Sequence, residues 1–261
     1  MAIIKDAHER AARAQEKRLA LLRFLREEVY TTPPVAALVM RCGERAAQQT
    51  VTALERAGLV RRHRFTFMPG LPPIVLIGIT DHGQGMAFDP TVGEQPADRV
   101  FEPGRYSLAY LHHTTAIQRL RVISEQSSVI KKWLPGEMLG AGKKHEKRPD
   151  AVLLTAGGVR VAIEVERSLK SRKRYAAVLA GHLEAIQQKK WGRAVWVSPG
   201  HDFAHRVRAL VTSTRRARIA GIDTTLTDAH FMPLSFTDYD SFLTTIKEID
   251  NAAQAKNPSQ K

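Results

Sequence analysis

The stretch 148–168, RPDAVLLTAGGVRVAIEVERS, constrains the fold of this chain more than any other segment. Its two apolar runs are separated by a Gly-Gly pair that suits a tight turn, so they predict an antiparallel hairpin. Three acids, Asp150, Glu164 and Glu166, stand in this hairpin although the chain carries a net charge of +14. Alternation places Glu164 and Glu166 on one face of their strand, and Asp150 begins the neighbouring strand. We therefore expect the three carboxylates to meet at one corner of a sheet.

The charge balance favours a polyanionic partner, either nucleic acid or an acidic membrane surface. The chain has 40 Lys and Arg against 26 Asp and Glu in 261 residues. A merely basic soluble protein is the plainer alternative.

Cys42 is the single cysteine, which excludes an internal disulfide and any CxxC zinc site and fits a reducing cytosol. No apolar run approaches the ~18–20 residues of a membrane span, so we expect a cytoplasmic protein that has no membrane span.

The first 88 residues follow the order of a winged helix-turn-helix domain: helix, short helix, helix, hairpin. The third helix would enter the major groove of double-stranded DNA, where Arg and Gln can pair with guanine and adenine edges. Its polar face carries Arg45, Gln48, Gln49, Thr52 and Arg56. The following strand would place Arg61, Arg62 and Arg64 near phosphates. A solvated helix beside a basic hairpin, or a module that binds other proteins, are the alternatives.

Residues 89–104 are rich in Pro, Gly and acids and predict a linker. A second domain is expected over 105–249, where helix, three strands, helix and strand indicate a mixed α/β sheet. Residues 250–261 predict a disordered tail. The expected fold class is therefore α+β, with a winged helix-turn-helix domain followed by a mixed α/β domain.

The acidic corner predicts a divalent metal. Carboxylates that face one another without a cation repel each other, and Mg²⁺ or Mn²⁺ prefers oxygen ligands. Asp150, Glu164 and Glu166 are the expected ligands. Residues 167–193 carry eight Lys and Arg, and of these Arg172 and Arg174 are expected to contact DNA.

The pattern "PD" at 149–150 followed by "EVE" at 164–166 resembles the PD-(D/E)xK nuclease superfamily. Preceded by a winged helix and followed by a basic helix, it looks like the replication-relaxation family, which includes MobC-type relaxases of plasmid mobilisation. The resemblance implies that Asp150 and Glu164 bind the metal of an endonuclease. Glu166 stands where the signature has lysine, so it is a candidate third ligand, and Lys170 or Lys173 would supply the lysine.

The resemblance also implies a role in conjugation. The protein would recognise an origin of transfer and either nick it or assemble the nicking complex with relaxosome or coupling proteins. A non-enzymatic regulator with a degenerate nuclease-like domain is the alternative.

Among the other candidate residues, His201 and His205 are interpreted as surface or phosphate contacts, Tyr175 as core or DNA packing, and Cys42 as core.

Overall fold

The computed structural model describes residues 6–66, 70, 72–92, 99–104, 107–139 and 147–256. It confirms a mixed α+β protein. The chain divides into two compact units, Met1–Val122 and Ile123–Lys261. Within the described residues, no helix has the length and apolar character needed to cross a membrane.

The first unit begins with helices whose ends match local sequence signals. The Asp6 side chain caps the first helix by accepting a hydrogen bond from the His8 N–H at 3.0 Å. Pro33 opens the second helix, where its fixed φ suits the first turn. The elements of this unit are α1 (Ala7–Glu28), β1 (Tyr30–Thr31), α2 (Pro33–Val39), α3 (Glu44–Arg56), β2 (Val60–Phe65), β3 (Ile74–Ile79), α4 (Asp81–Ala87) and α5 (Leu108–Glu125), the last of which crosses the boundary between the units.

The three strands form an antiparallel sheet in the order β1-β3-β2, with Val60 opposite Ile79 and Phe65 opposite Ile74. The apolar faces of α1, α2 and α3 pack together with β2 and β3, as the helical spacing of Leu22, Leu25 and Val51 predicts. Leu19, which the same spacing places inward, is 37% exposed. The short β1 and α4 were not predicted, since two residues are too few for a strand pattern and α4 contains two glycines.

The predicted linker and the predicted start of the second domain belong partly to the first unit. Phe101, from the predicted linker, is buried beside Tyr30 with ring centroids 5.5 Å apart. Residues 93–98 of the predicted linker lie outside the described residues. Gly78 leaves the space that the Phe101 ring fills. In α5, the Gln118 amide donates to the Tyr30 carbonyl oxygen at 2.7 Å, and Arg121 pairs with Glu28 at 2.6 Å. The two units divide at 122/123, within α5, and these polar bonds hold the part of α5 up to Arg121 in the first unit.

The second unit contains the predicted hairpin within a five-stranded sheet of order β10-β7-β6-β5-β4. Strands β4, β5 and β6 are antiparallel neighbours, whereas β6, β7 and β10 run parallel. Helices α6 and α7 pack on one face of this sheet through an apolar cluster that includes Trp196, Leu179 and Val207. The elements are β4 (Ile130–Pro135), β5 (Ala151–Thr155), β6 (Arg160–Val165), α6 (Arg172–Gln187), β7 (Arg193–Ser198), α7 (His201–Thr212), β8 (Arg216–Ile219), β9 (Ile222–Thr225), α8 (Asp228–Phe231), β10 (Leu234–Asp238) and α9 (Phe242–Lys256).

The C-terminal part of the chain differs most from the predictions. Residues 216–219 form β8 in a hairpin with β9, and the last strand of the sheet is β10. The tail predicted from residue 250 is helical as far as Lys256, and 257–261 lie outside the described residues. Asp250 explains this difference. Its side chain is buried and accepts hydrogen bonds from the Thr155 hydroxyl and from the Gly157 N–H at 2.9 Å.

Asp250→Ala should therefore lower the free energy of unfolding by about 1–3 kcal/mol, because it leaves the buried Thr155 hydroxyl without its acceptor. Glu248→Ala, an exposed acid on the same helix, is the matched control and should change stability by less than about 0.5 kcal/mol. Urea unfolding followed by circular dichroism measures both. Equal losses in the two variants would show that the Asp250 contacts do not hold α9.

Candidate functional site

The exposed face of α3 carries most of the residues predicted to read DNA bases. Arg45, Gln48, Gln49 and Arg56 are exposed, and the opposite face of the helix is buried. Thr52 is half-buried, and its hydroxyl donates to the Gln48 carbonyl oxygen at 2.9 Å. The helix thus presents a row of unburied Arg and Gln side chains.

The basic residues of β2 fall into two kinds. Arg61 and Arg64 are exposed, as expected for phosphate contacts. Arg62 instead binds α3: its Nε donates to Glu55 Oε2 at 2.7 Å and its backbone N–H donates to Glu55 Oε1 at 2.9 Å. The hydrogen bonds from Arg62 hold the pKa of Glu55 below its usual value. Arg62 therefore fixes α3 against the hairpin, whereas the side chains of Arg61 and Arg64 are exposed to solvent.

Glu164 is buried under α6, with its side chain 8% exposed. One carboxylate oxygen, Oε1, lies 2.7 Å from Lys147 Nζ and 3.0 Å from His182 Nε2. Burial by itself raises the pKa of Glu164, but the His182 hydrogen bond and the Lys147 charge outweigh it, so the pKa is lowered. The structure therefore gives this buried carboxylate a positive partner from the protein.

The surroundings of Glu164 depend on a gap in α6. A Cβ atom at Gly181 would lie 2.6 Å from Lys147 Cβ, so the absence of a side chain there lets the Lys147 chain pass. The next residue, His182, is fully buried and packs its ring against Trp191 and Trp196, with centroids 5.6 and 5.1 Å away. The sequence Gly181-His182 thus admits the lysine and supplies the second partner.

Glu166 has a separate set of partners. It is 3% exposed, and Lys170 Nζ lies 2.7 Å from its Oε2. Tyr175 lies beside the pair, and its hydroxyl accepts a hydrogen bond from the Lys170 backbone N–H at 3.3 Å. Burial, together with the nearby Glu166 charge, raises the pKa of Tyr175 to about 12. Lys170 therefore neutralises Glu166, and Tyr175 is a neutral buried phenol, as the packing interpretation expects.

Asp150 lies just before β5, where the strand register places it opposite Glu164. Its Oδ2 accepts a hydrogen bond from the Val165 N–H at 2.7 Å and so extends the ladder between β5 and β6. The hairpin therefore brings the three predicted acids to one region of the sheet.

The side chains around these acids do not fit a metal as they are arranged. Glu164 and Glu166 each face a lysine, and Asp150 accepts a backbone N–H. In the described ranges, no group of three or more His, Cys, Asp and Glu side chains could hold a metal ion. We therefore derive no chemical step through Mg²⁺ or Mn²⁺.

Three predicted cationic residues, Arg172, Lys173 and Arg174, are exposed in the first turn of α6. The Ser171 side chain caps this helix by accepting from the Arg174 N–H at 3.3 Å. Positive charges are unfavourable at the positive end of the helix dipole, and no acid offsets them in this turn. The stability of α6 therefore does not account for this cluster of exposed cations.

Sequence reasoning did not find Lys147 and His182 as partners of Glu164. Lys147 stands near the end of the basic stretch 143–148, most of which lies outside the described residues. His182 stands seven positions after the buried Tyr175, a helical spacing that signals an inward position. Nothing in either pattern names the carboxylate that the side chain meets.

Comparison of the chain with protein-family models, with curated proteins and with solved structures finds no match. The resemblance to the replication-relaxation family therefore stays a prediction drawn from the motifs.

Glu164→Gln should flatten the acid branch of the stability curve. A carboxyl whose pKa is lower in the folded than in the unfolded state contributes stability above its unfolded pKa and loses it as the pH falls through the folded value. The wild type should therefore lose stability on acidification below the ordinary glutamate pKa of 4.5, and the variant should lose less. Glu248→Gln is the control, since this acid is exposed. Urea unfolding between about pH 6 and pH 3 measures the slopes, and parallel curves for wild type and Glu164→Gln would contradict the assignment.

Proposed function

We propose that this protein binds double-stranded DNA in a sequence-selective manner through α3. The observation that carries the proposal is the exposed row of Arg45, Gln48, Gln49 and Arg56 on a helix whose other face is buried. Arg and Gln side chains of this kind can form paired hydrogen bonds with guanine and adenine in the major groove.

The local architecture around α3 supports the proposal. Helix α2 is followed by a short turn at 40–43 and then by α3, the order of a helix-turn-helix, and the β2–β3 hairpin follows as expected for a wing. The bonds of Arg62 to Glu55 fix α3 to this hairpin. Arg61 and Arg64 on β2 are exposed, and under this proposal they contact phosphates while α3 reads bases.

In the second unit, the difference between paired acids and exposed cations favours binding of DNA over its cleavage. The carboxylates of Glu164 and Glu166 are buried and matched by lysines, whereas the cations at the start of α6 face solvent. We infer that this unit contacts DNA phosphates and keeps a nuclease-like arrangement of strands without using its acids on the substrate. By the resemblance, the DNA is an origin of transfer, and the protein helps to assemble the nicking complex with other relaxosome proteins in the cytoplasm.

Arg45→Ala and Gln49→Ala should each reduce discrimination between the preferred site and a mutated site by about 1–3 kcal/mol, the value of a paired base contact. Arg64→Ala should weaken binding to all sequences alike, since a phosphate contact carries no sequence information. Selection from random duplexes identifies the site, and fluorescence anisotropy then measures each affinity.

The salt response provides the control for this measurement. If about six phosphates are contacted, log K should fall against log salt with a slope near −5, and Arg64→Ala should make it shallower by about one. A wild-type affinity that does not change with salt, or equal loss of discrimination in all three variants, would contradict the assignment of α3 as the reading helix.

A metal-dependent nickase is the second candidate, because the pairing of β5 with β6 brings Asp150, just before β5, opposite Glu164. Under the binding proposal, supercoiled plasmid that bears the preferred site should stay intact in Mg²⁺ or Mn²⁺ and in EDTA alike. Agarose gels separate the nicked from the supercoiled form. Nicking that requires the metal and is abolished in Asp150→Ala would replace the binding proposal for the second unit with the enzymatic one.

A further inference from the structure

A pocket of about 240 Å³ lies in the second unit at the carboxyl end of β10, between α7 and the start of α9. Polar side chains from α7, from the end of β10 and from the start of α9 line it. Helix α7 contributes His201, His205 and Arg208, and Ser241 and Thr245 enter from the side of α9. In sheets with parallel strands, ligands characteristically bind beyond the carboxyl ends of those strands.

The basic residues of the pocket share one face of α7. His201, His205 and Arg208 stand at positions i, i+4 and i+7, a spacing that aligns side chains along a helix. In the described part of the chain, neither His205 nor Arg208 has an ion-pair partner. The donors of this face are therefore available to an external anion.

Among the described residues that line the pocket, Asp238 is the one acid, and it is already engaged. Asp238 Oδ1 accepts hydrogen bonds from the Ser241 N–H at 2.8 Å and the Asp240 N–H at 3.1 Å. These bonds, with a smaller effect from His201, hold the pKa of Asp238 below its usual value. The acid thus organises the turn into α9, and the remaining ionisable lining residues are basic.

We propose that this pocket binds the phosphate group of a nucleotide or of a nucleic-acid end, with Arg208 and His205 as the main donors. Arg offers several N–H groups in a fork that matches phosphate oxygens. The volume is below the roughly 300–1,000 Å³ of pockets that enclose a drug-sized ligand, so a phosphate with little more than its sugar fits. The site does not involve α3 and goes beyond the proposed reading of duplex DNA.

Titration calorimetry on the full-length protein tests this site with inorganic phosphate, AMP and a short single-stranded oligonucleotide with or without a 5′-phosphate. Arg208→Ala should weaken binding of AMP or of the phosphorylated oligonucleotide at least about tenfold, the size expected for a charge-assisted hydrogen bond. His205→Ala should weaken it in the same direction. Arg206→Ala is the matched control, because it removes an exposed arginine of the same helix that does not line the pocket, and it should leave affinity within about twofold.

The ligands separate the possible sources of the phosphate. Tighter binding of AMP than of inorganic phosphate points to a nucleotide, and a dependence on the 5′-phosphate of the oligonucleotide points to a strand end. Equal losses in Arg208→Ala and Arg206→Ala would reduce the effect to general surface charge and overturn the proposal. No measurable binding of any phosphate ligand would overturn it as well. Neither outcome bears on duplex reading by α3, which the Arg45 and Gln49 variants test separately.

Discussion

The buried carboxylate of Glu164 is the charge around which the second unit is arranged. A carboxylate without a partner cannot remain ionised in an apolar interior without a large cost in free energy. Lys147 and His182 both contact one oxygen of it, and Gly181 leaves the space through which the lysine reaches it. This packing links β6 to α6 at the position where the apolar contacts of the sheet are interrupted, so the helix and the sheet are held together by charge as well as by apolar burial.

The distribution of charge follows from this arrangement. The second unit matches the acids of its hairpin with its own lysines, while many of its other cations stay at the surface. The exposed positive groups at the start of α6 and along α7 therefore have few internal partners and are suited to anions. In the first unit, Arg62 likewise pairs with an acid of the protein, Glu55, whereas Arg61 and Arg64 remain exposed. A high net charge by itself does not say which cations are paired internally and which stay at the surface, and here the ion pairs make that distinction.

Single residues can reassign whole segments of a chain. Phe101 comes from a stretch whose composition predicts a linker, yet its ring fills the space above Gly78 and ties the segment to the first unit. Asp250 has the same effect at the other end, because its bonds to Thr155 and Gly157 extend α9 into a segment whose polar composition predicts disorder. Composition describes the average preference of a segment, and one buried contact far along the chain is enough to override it.

The sequence by itself determined the elements with strong periodicity: α1, α2, α3, the β2–β3 pair, the β5–β6 hairpin, α6 and β7. Their apolar spacing, caps and glycine turns are local signals. It also identified Arg45 and Gln49 as exposed and Asp150, Glu164 and Glu166 as neighbours, since strand alternation and hairpin pairing follow from a few residues. Tertiary structure alone decided that Lys147 and His182 meet Glu164, that α5 belongs largely to the first unit, and that α7, β10 and α9 enclose a basic pocket. These features join residues distant in sequence or on separate elements, so no local pattern encodes their meeting, and they depend on which buried charges and rings find partners when the chain packs.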